Sequence, residues 1–524
     1  MGIYLNPESV GFQESISSEI YIDKTGLLHY TNQILETKQK FICVSRPRRF
    51  GKSMAAEMLA AYYGRGYHSA DLFQGLQITK ETDFFTHLNQ YNVIFLNMQD
   101  FLSRTHDIKK MKALLEKVLL RDLLKEYPDV DYLDKKDLIG VLFDIYHEKK
   151  EKKFIFIIDE WDCIFREMKH NLNAQTIYLD FLRNLLKDKG YVALAYMTGI
   201  LPIKKYGSHS ALNMFDEFSM LDPSNLAEYV GFTEQEVSML CQKYQMDFTE
   251  MKHWYDGYHF DHKLHIYNPR SVVRAMLTKR YNNYWNQTET FEALRDYIVM
   301  NYDGLRDTII ELLAGNPKKI NPGTFSNDMT TFTSADDVLT LLVHLGYLGY
   351  NFEEQKVYIP NSEIETEFIN AIQNAGWEEV IQAIKISEEL LQATWDMDEV
   401  VVADKIEQVH LETSSLTYNN ENSLSCTISL AYYSARKYYT MIREFPTGKG
   451  FADMVYLPRK NYLDKPAMII ELKWDKSAQS AISQIKSKQY VHALKEYSGN
   501  LLLVGINYDK KEKTHSCVIE RFLK

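Results

Sequence analysis

The stretch Ser45-Arg46-Pro47-Arg48-Arg49-Phe50-Gly51-Lys52-Ser53 joins a short apolar segment to a helical pattern. The apolar segment, Phe41 to Val44, predicts a buried strand, and the pattern from Ser53 to Tyr63 predicts a helix. A loop that leads from a buried strand into a helix and ends in Gly-Lys-Ser has the arrangement of a Walker A loop. Backbone N–H groups and the helix N-terminus bind phosphate in such a loop.

The side chains of this loop have separate expected roles. Lys52 would reach the β- and γ-phosphate oxygens, and the Ser53 hydroxyl would bind Mg²⁺. The other residues expected to surround the nucleotide are Arg48, Arg49, Phe50, Gly51 and Met54. Arg46 stands where the usual first glycine would be, so the motif is degenerate. A chance Gly-Lys-Ser at a helix start is the alternative.

A second apolar run ends in two acidic residues. Phe154 to Ile158 predicts a buried strand, and Asp159 and Glu160 follow it directly. This is the Walker B arrangement, in which Asp159 supports the Mg²⁺ shell and Glu160 orients or activates the attacking water. The two acids could instead cap the next helix.

Two further residues are candidates for the nucleotide site. Thr198 ends the strand predicted from Val192 and would lie beside the γ-phosphate, although capping a helix would explain it equally well. Arg183, on the helix predicted for residues 174–187, is either an arginine finger or a solvated helix charge.

The fold class that these patterns predict is α/β. Strands such as Val93 to Leu96 alternate with helices such as Met111 to Glu126, which favours a parallel sheet covered on both faces over residues 1–225. Helices with aromatic-rich connections then predict subdomains at 226–300 and 301–410, with a hairpin near residues 347–359. We interpret residues 401–420 as a polar linker, and the last domain is expected to span 411–524.

The last hundred residues predict the order α-β-β-β-α-β. The expected elements are a helix at 421–435, strands at 438–445, 451–457 and 467–472, a helix at 477–497 and a strand at 500–506. A turn containing Gly448 and Gly450 would join the first two strands.

An acidic and basic cluster is expected on two of these strands. Glu471 and Lys473 are two residues apart and therefore point to one face, and an antiparallel neighbour can bring Asp453 beside them. Asp453 and Glu471 would hold Mg²⁺ through hard oxygens, while Lys473 positions or polarises the water that attacks a phosphodiester. The alternative is a surface salt-bridge cluster.

Other residues could support this second site. Glu421 either completes the acidic shell or is a charge favoured by the helix dipole. Gln484 and Tyr490 could touch the bound strand. Three lysines would form either a phosphate-contact surface or a solvated helix face: Lys476, Lys486 and Lys488.

Composition limits the function classes. The 524 residues predict three or four domains at about 150 residues each, and the 45% hydrophobic content is typical of a well-packed chain. The net charge is −11, yet from Glu421 onward 17 Lys and Arg face 10 Asp and Glu, which favours a polyanion as partner of that part alone.

Targeting and redox signals are weak. Apolar stretches stay far below the roughly 20 residues of a membrane helix, so we expect no membrane association. The first six residues resemble no secretory signal, and the five cysteines have no paired spacing. These observations predict a cytoplasmic protein with reduced cysteines.

With these motifs in hand, the chain resembles the bacterial AAA-ATPase-like proteins fused to a C-terminal PD-(D/E)XK nuclease-superfamily domain. The string Arg46 to Ser53 is specific to that family, which makes Arg46 a family trait. The other matching stretches are residues 21–25, 158–162, 198–200, 254–258 and 267–269, and Asp453 with residues 471–473. Ala452 stands where the superfamily often has proline.

The resemblance implies a P-loop NTPase sheet with a helical lid, then a restriction-endonuclease-like α/β domain that uses Asp453, Glu471 and Lys473. The leading hypothesis is an ATP-regulated, Mg²⁺-dependent endonuclease, with Mn²⁺ as a substitute ion and DNA favoured over RNA, in a defence or mobile-element context. One rival is a nucleotide-gated switch that docks nucleic acid or protein without cleavage. Another is an ATPase that has lost hydrolysis. Related ATPases often form rings, so homo-oligomers are also expected.

Overall fold

The computed structural model describes residues 2–149, 153–203, 212–261, 264–285, 290–300, 302–327, 329–412, 421–447, 450–488, 490, 494 and 500–522. The chain divides into two compact units. The first comprises Met1–Thr290 with Lys319–Glu367, and the second comprises Phe291–Lys318 with Phe368–Lys524.

The first unit contains a parallel sheet of five strands in the order β2-β3-β4-β1-β5. Every residue of β3 and β4 is buried, because helices cover both faces and the strand sequences are apolar up to the polar residues Asp159 and Thr198 near their carboxyl ends. The predicted α/β class and parallel sheet are confirmed. The strands are β1 (Phe41–Ser45), β2 (Asn92–Asn97), β3 (Phe154–Asp159), β4 (Val192–Gly199) and β5 (Asp216–Phe218).

Helices connect these strands close to where the sequence predicts them. The helix after β1 begins at Lys52, directly after Gly51, whose φ of 92° lies in the left-handed region that favours glycine. The other described helices of this part are Val10–Ile16, Gly26–Ile34, Phe84–His87, Met98–Thr105, Ile108–Glu126, Leu138–Glu148, Cys163–Glu167 and Leu172–Leu186.

The middle of the chain contains short strands as well as the predicted helices. A small antiparallel sheet, β6 (Phe232–Thr233), β7 (Tyr258–Asp261) and β8 (Leu264–Tyr267), has the order β6-β8-β7. The sequence pattern does not predict these strands, because runs of two to four residues show too little alternation. The helices around it are Glu234–Tyr244, Phe248–Tyr255, Pro269–Thr278, Ala335–Leu345 and Ser362–Ala375.

Short strands follow at β9 (Lys318–Lys319), β10 (Gly349–Asn351) and β11 (Lys356–Tyr358). The last two form the predicted antiparallel hairpin. No helix among the described residues is long and apolar enough to cross a membrane.

The second unit has a mixed sheet with the order β12-β13-β14-β15-β16. Only the β14–β15 pairing is parallel among the described pairings of this sheet. The strands are β12 (Tyr439–Thr447), β13 (Gly450–Pro458), β14 (Ala467–Trp474), β15 (Leu501–Asp509) and β16 (Thr514–Phe522). Its helices are Thr290–Met300, Leu305–Leu313, Glu378–Trp395, Glu399–Glu412, Glu421–Ala431 and Ala478–Ser487.

Three predictions in this part need correction. The linker predicted for 401–420 is wrong for its first part, because Glu399–Glu412 is a helix whose Val402, Ile406 and Val409 are buried. The predicted order of helices and strands lacked the final strand β16, an edge strand of the sheet whose residues alternate between more and less exposed. The last helix ends at Ser487. Residues 413–420, 448–449 and part of 489–499 lie outside the described residues.

Candidate active sites

The Walker A and Walker B segments meet at the carboxyl edge of the parallel sheet. Val44 of β1 and Asp159 of β3 both pair with Thr198 of the strand between them, β4. The Ser53 hydroxyl donates a hydrogen bond to Asp159 Oδ2 at 2.7 Å. Two hard oxygen donors therefore stand together where the sequence places the nucleotide-bound Mg²⁺, and this donor set suits that ion.

The Lys52 side chain is buried against the backbone of the loop. Its ammonium donates to the carbonyl oxygens of Arg46 and Pro47, at 3.0 and 2.8 Å. Burial lowers the pKa of Lys52, although the nearby carboxylates of Glu160 and Asp159 oppose that shift. The lysine is thus a cation held within the loop whose backbone would surround phosphate.

Arg46 explains the degenerate motif. Its side chain is fully buried, donates to the carbonyl oxygen of Phe218 at 2.9 Å and stacks on the Phe260 ring with its guanidinium carbon 5.2 Å from the centroid. Burial lowers the pKa of Arg46 to about 10. The arginine therefore points into the protein and ties the loop to β5, a structural role that the usual glycine does not have.

Glu160 adopts a left-handed backbone, with a φ of 54°. Its carboxylate pairs with the Arg166 guanidinium, whose Nε also lies 3.3 Å from Asp162 Oδ2. Asp162 occupies the N-cap position of the following helix, which begins at Cys163, so Glu160 is not its N-cap residue. The strained turn directs the acid beside the loop instead.

The two other nucleotide-site candidates differ in position. Thr198 is fully buried at the end of β4, in register with Asp159, and its hydroxyl has no partner among the described residues. Arg183 is exposed on the helix Leu172–Leu186 and does not line the cavity described next.

A cavity of about 1220 Å³ opens over the loop. Its walls combine apolar side chains, among them Phe12, Tyr21 and Phe232, with cationic ones. The cationic lining residues are Lys24, Arg48, Arg49, Lys52, Arg166 and Arg270. A pocket with this many cations at a helix N-terminus suits a polyphosphate.

Three residues of the cavity wall, Lys24, Tyr21 and Arg270, have no role predicted from the sequence. Lys24 and Tyr21 belong to the stretch 21–25, and Arg270 directly follows the stretch 267–269. Both stretches carry the family resemblance, which was the one signal available. Lys24 also forms an ion pair with Glu236 at 2.7 Å, so it fastens the cavity wall to a neighbouring helix.

The second cluster lies in the second unit, on β13 and β14. Asp453 Oδ2 accepts a hydrogen bond from the backbone N–H of Leu472 at 2.7 Å. The Lys473 ammonium donates to Glu471 Oε1 and to the Leu472 carbonyl oxygen, each at 2.9 Å. The antiparallel pairing of β13 with β14 thus brings the three predicted side chains together.

Glu471 has an unusual environment for an acid. It is 1% exposed and Lys473 is 7% exposed, which excludes the surface salt-bridge alternative. Burial, with the neighbouring Asp453 charge as a second cause, raises the pKa of Glu471 to about 7. Its Oε2 atom is buried and has no hydrogen-bond partner in the described part of the chain. An acid pair with an open, buried oxygen fits a divalent metal ion.

Gln484 and Tyr490 support this cluster. The Gln484 amide donates to Glu471 Oε1 and, at 3.3 Å, to the Tyr490 hydroxyl. That hydroxyl donates to the Phe451 carbonyl oxygen at 2.6 Å. Lys486 forms an ion pair with Glu520, while Lys476 is exposed. The Glu421 side chain lies outside what the structure describes.

Two family models match the parts of the chain that contain these two clusters. Residues 11–208 match the model of a family described as predicted AAA-ATPases, and residues 419–517 match the model of the PD-(D/E)XK nuclease superfamily. The chain joins an AAA-ATPase-like domain to a PD-(D/E)XK nuclease-superfamily domain. The resemblance found in the sequence is therefore confirmed.

One curated relative of this chain is an uncharacterized protein in the vnfD 5′ region of Azotobacter chroococcum mcd 1. It is 25% identical over 287 residues, which cover 53% of this chain and 52% of the relative. The match thus spans about half the length of each protein.

Two solved structures from Aeropyrum pernix are similar to the chain. The ORC2 protein, in ADPNP–ADP complexes, is 10% identical over 68% of this chain and 97% of its own, with a TM-score of 0.27. The ORC1 protein, in complex with DNA, is 10% identical over 69% of this chain and 96% of its own, with a TM-score of 0.26.

Proposed function

We propose that the chain is an ATP-regulated, Mg²⁺-dependent nuclease that cleaves phosphodiester bonds, with DNA as the favoured substrate. The observation that carries the proposal is the buried Asp453–Glu471–Lys473 cluster inside a domain of the PD-(D/E)XK superfamily. A protein that only docked nucleic acid would not need a buried lysine that donates to a buried acid.

In the nuclease domain, Asp453 and Glu471 would hold Mg²⁺, and Mn²⁺ would fit the same oxygen donors. The ion, when bound, supplies charge stabilisation at the scissile phosphate. Lys473 orients or polarises the attacking water, and Gln484 keeps the Glu471 carboxylate in place. The excess of Lys and Arg after Glu421 would attract the backbone of the nucleic acid.

In the ATPase domain, Ser53 and Asp159 would hold the nucleotide's Mg²⁺ and Lys52 would neutralise the β- and γ-phosphates. Glu160 orients the water, and Thr198 offers its hydroxyl near the γ-phosphate. The loop residues Arg48, Arg49, Phe50, Gly51 and Met54 surround the phosphates. The apolar cavity wall that includes Tyr21 would take the base.

The proposed functional domains follow one another along the chain. Residues 1–225 form the ATPase core, 226–300 the lid, 301–410 a connector and 411–524 the nuclease domain. The ATPase would control when the nuclease engages its substrate, in a defence or mobile-element setting. Self-association of the ATPase domains, and a cytoplasmic location, belong to the same proposal.

A cleavage panel tests this function. Purified protein is incubated with supercoiled plasmid, linear duplex, single-stranded DNA and RNA, with Mg²⁺ or Mn²⁺, with and without ATP. Asp453→Ala should abolish cutting, while Asp464→Ala, which removes an exposed acid of the same domain, should not. Equal cutting by parent and Asp453→Ala would overturn the proposal. Binding by both without any cutting would favour the docking switch.

A further inference from the structure

A cluster of one acid and two histidines lies on the β7–β8 hairpin of the first unit, outside both sites. His259 and His265 are directly opposite each other on the two strands, with ring centroids 4.1 Å apart. Asp256 lies just before β7, at the end of the helix Phe248–Tyr255. None of the three lines the nucleotide cavity.

The donor atoms of this cluster have metal-site spacing. His265 Nδ1 lies 2.9 Å from Asp256 Oδ2, and His259 Nε2 lies 3.8 Å from Asp256 Oδ1. One ligand atom from each of the three residues falls within 4.8 Å of the other two. Ligands of a tetrahedral Zn²⁺ ion, bound at about 2.0–2.2 Å, are themselves roughly 3.3 Å apart. An ion therefore fits with only small side-chain movements.

The backbone holds the acid in place. Asp256 is buried, its Oδ1 accepts from the Gly257 N–H at 2.7 Å, and its carbonyl oxygen accepts from the Asn361 amide at 2.8 Å. Gly257, with a φ of 118°, packs so closely on Pro360 that an added Cβ would lie 2.1 Å from that carbonyl oxygen. Burial alone would raise the pKa of Asp256, but the neighbouring His259 and His265 side chains bring it below its usual value.

Solvent reaches the cluster on one side. The His259 side chain is 41% exposed, whereas Asp256 is only 10% exposed. An ion could therefore enter from the His259 side and keep a water ligand there, while Asp256 is held by its backbone contacts and the His265 side chain is 23% exposed. A buried acid beside more accessible histidines is what an exchangeable metal site needs.

We propose that Asp256, His259 and His265 form a binding site for a divalent transition-metal ion, with Zn²⁺ as the best-fitting example. Two imidazoles and a single carboxylate favour such an ion over Mg²⁺, which prefers oxygen ligands. The site is separate from the Mg²⁺ sites proposed for ATP and nucleic acid. The segment 254–258, for which the sequence predicts no chemical role, would then serve as the scaffold of the metal site.

A second cluster of similar composition is less suited to an ion. Glu407, His410 and His515 also place ligand atoms within 4.8 Å of each other. The His515 side chain is 0% exposed, and the Tyr508 ring packs against both imidazoles, at centroid distances of 5.5 and 4.9 Å. The proposal is therefore limited to the hairpin site, and the second cluster supplies a control.

Zinc titration tests the proposal. Full-length protein without a histidine tag is stripped with a chelator and titrated with Zn²⁺ against a chromophoric competitor. All measurements use a His410→Gln background, which removes one ligand of the second cluster. The parent should bind one Zn²⁺, and millimolar Mg²⁺ should not displace it. His259→Ala should weaken binding at least about tenfold, since losing even an outer partner of a metal ligand costs that much.

Two further variants separate a metal site from a merely structural hydrogen-bond cluster. His259→Cys, which restores a zinc ligand, should regain binding, and His170→Ala, which removes an exposed histidine outside the cluster, should leave it unchanged. Zn²⁺ should also raise the melting temperature of the parent but not that of His259→Ala. Absence of zinc binding in the parent, or equal affinity in the parent and His259→Ala, would overturn the proposal.

Discussion

The Ser53 hydroxyl donates to Asp159 Oδ2 at 2.7 Å and so joins the phosphate-binding loop to the acid at the end of β3. Ser53→Ala removes one proposed Mg²⁺ ligand and leaves the other in place. We expect Mg²⁺-dependent ATP turnover to fall at least about tenfold, equivalent to about 1.4 kcal/mol of barrier. Ser103→Ala is the control, because that serine lines the same cavity but bonds to the Asp100 carbonyl oxygen. Unchanged turnover in Ser53→Ala would contradict the assignment.

Arg46 and Arg48, two of the three arginines of the loop, should separate stability from nucleotide binding. Arg46 is buried and bonded to Phe218, so Arg46→Ala should destabilise the first unit by on the order of 2 kcal/mol. Arg48 lines the cavity, so Arg48→Ala should weaken ATP binding with little change in melting temperature. Thermal unfolding and a nucleotide-binding titration on both variants check this pair. A stable Arg46→Ala protein would refute the structural role of that side chain.

Glu471 predicts a pH dependence for the nuclease site. Its pKa is raised from 4.5 to about 7, so the native state keeps a proton that the unfolded chain has released. The stability contribution of this group is complete below pH 4.5 and is lost as the pH rises through 7. Metal ions compete with the same proton, so Mn²⁺ should bind more tightly at pH 8 than at pH 6.

The measurement for this prediction is the rise in melting temperature of the second unit with added Mn²⁺, at several pH values. Glu471→Gln should bind the ion weakly at every pH. The same Mn²⁺ effect at pH 6 and pH 8 in the parent would show that Glu471 does not control the site.

Lys473 should be essential for cutting because it is the cation beside Glu471. Lys473→Ala should lower the cleavage rate by roughly 100-fold, within the range of a lost acid–base or charge-stabilising group. Lys117→Ala is the control, since that lysine is exposed on the helix Ile108–Glu126 of the first unit and belongs to neither candidate site. Circular dichroism establishes that both variants fold. Cleavage by a folded Lys473→Ala protein at the parental rate would remove this residue from the mechanism.

The sequence predicted the elements that carry strong patterns. Continuous apolar runs located β3 and β4, and the two-residue spacing of Glu471 and Lys473 placed both on one face of β14. Short strands such as β7 were not predicted, because four residues carry little periodicity. The helix Glu399–Glu412 was mistaken for a linker since its polar residues hid a stripe of three buried ones.

Contacts between distant segments were beyond sequence reasoning. Nothing in the string around Arg46 shows that its side chain reaches Phe218, which follows it by more than 170 residues. The partnership of Arg166 with Glu160 and the position of Arg270 at the cavity also arise only from folding. Residue type and local spacing give a side chain's chemistry, whereas its partners depend on packing.

The central claim is that nucleotide binding in one domain controls cleavage by the other. The most direct test measures plasmid cleavage by the parent, Lys52→Ala and Asp453→Ala, each with Mg²⁺ and with or without ATP. We expect cleavage by the parent to change with ATP, cleavage by Lys52→Ala to be the same in both conditions, and Asp453→Ala to cut in neither. Cleavage that is insensitive to ATP in the parent and unchanged by Lys52→Ala would contradict the account.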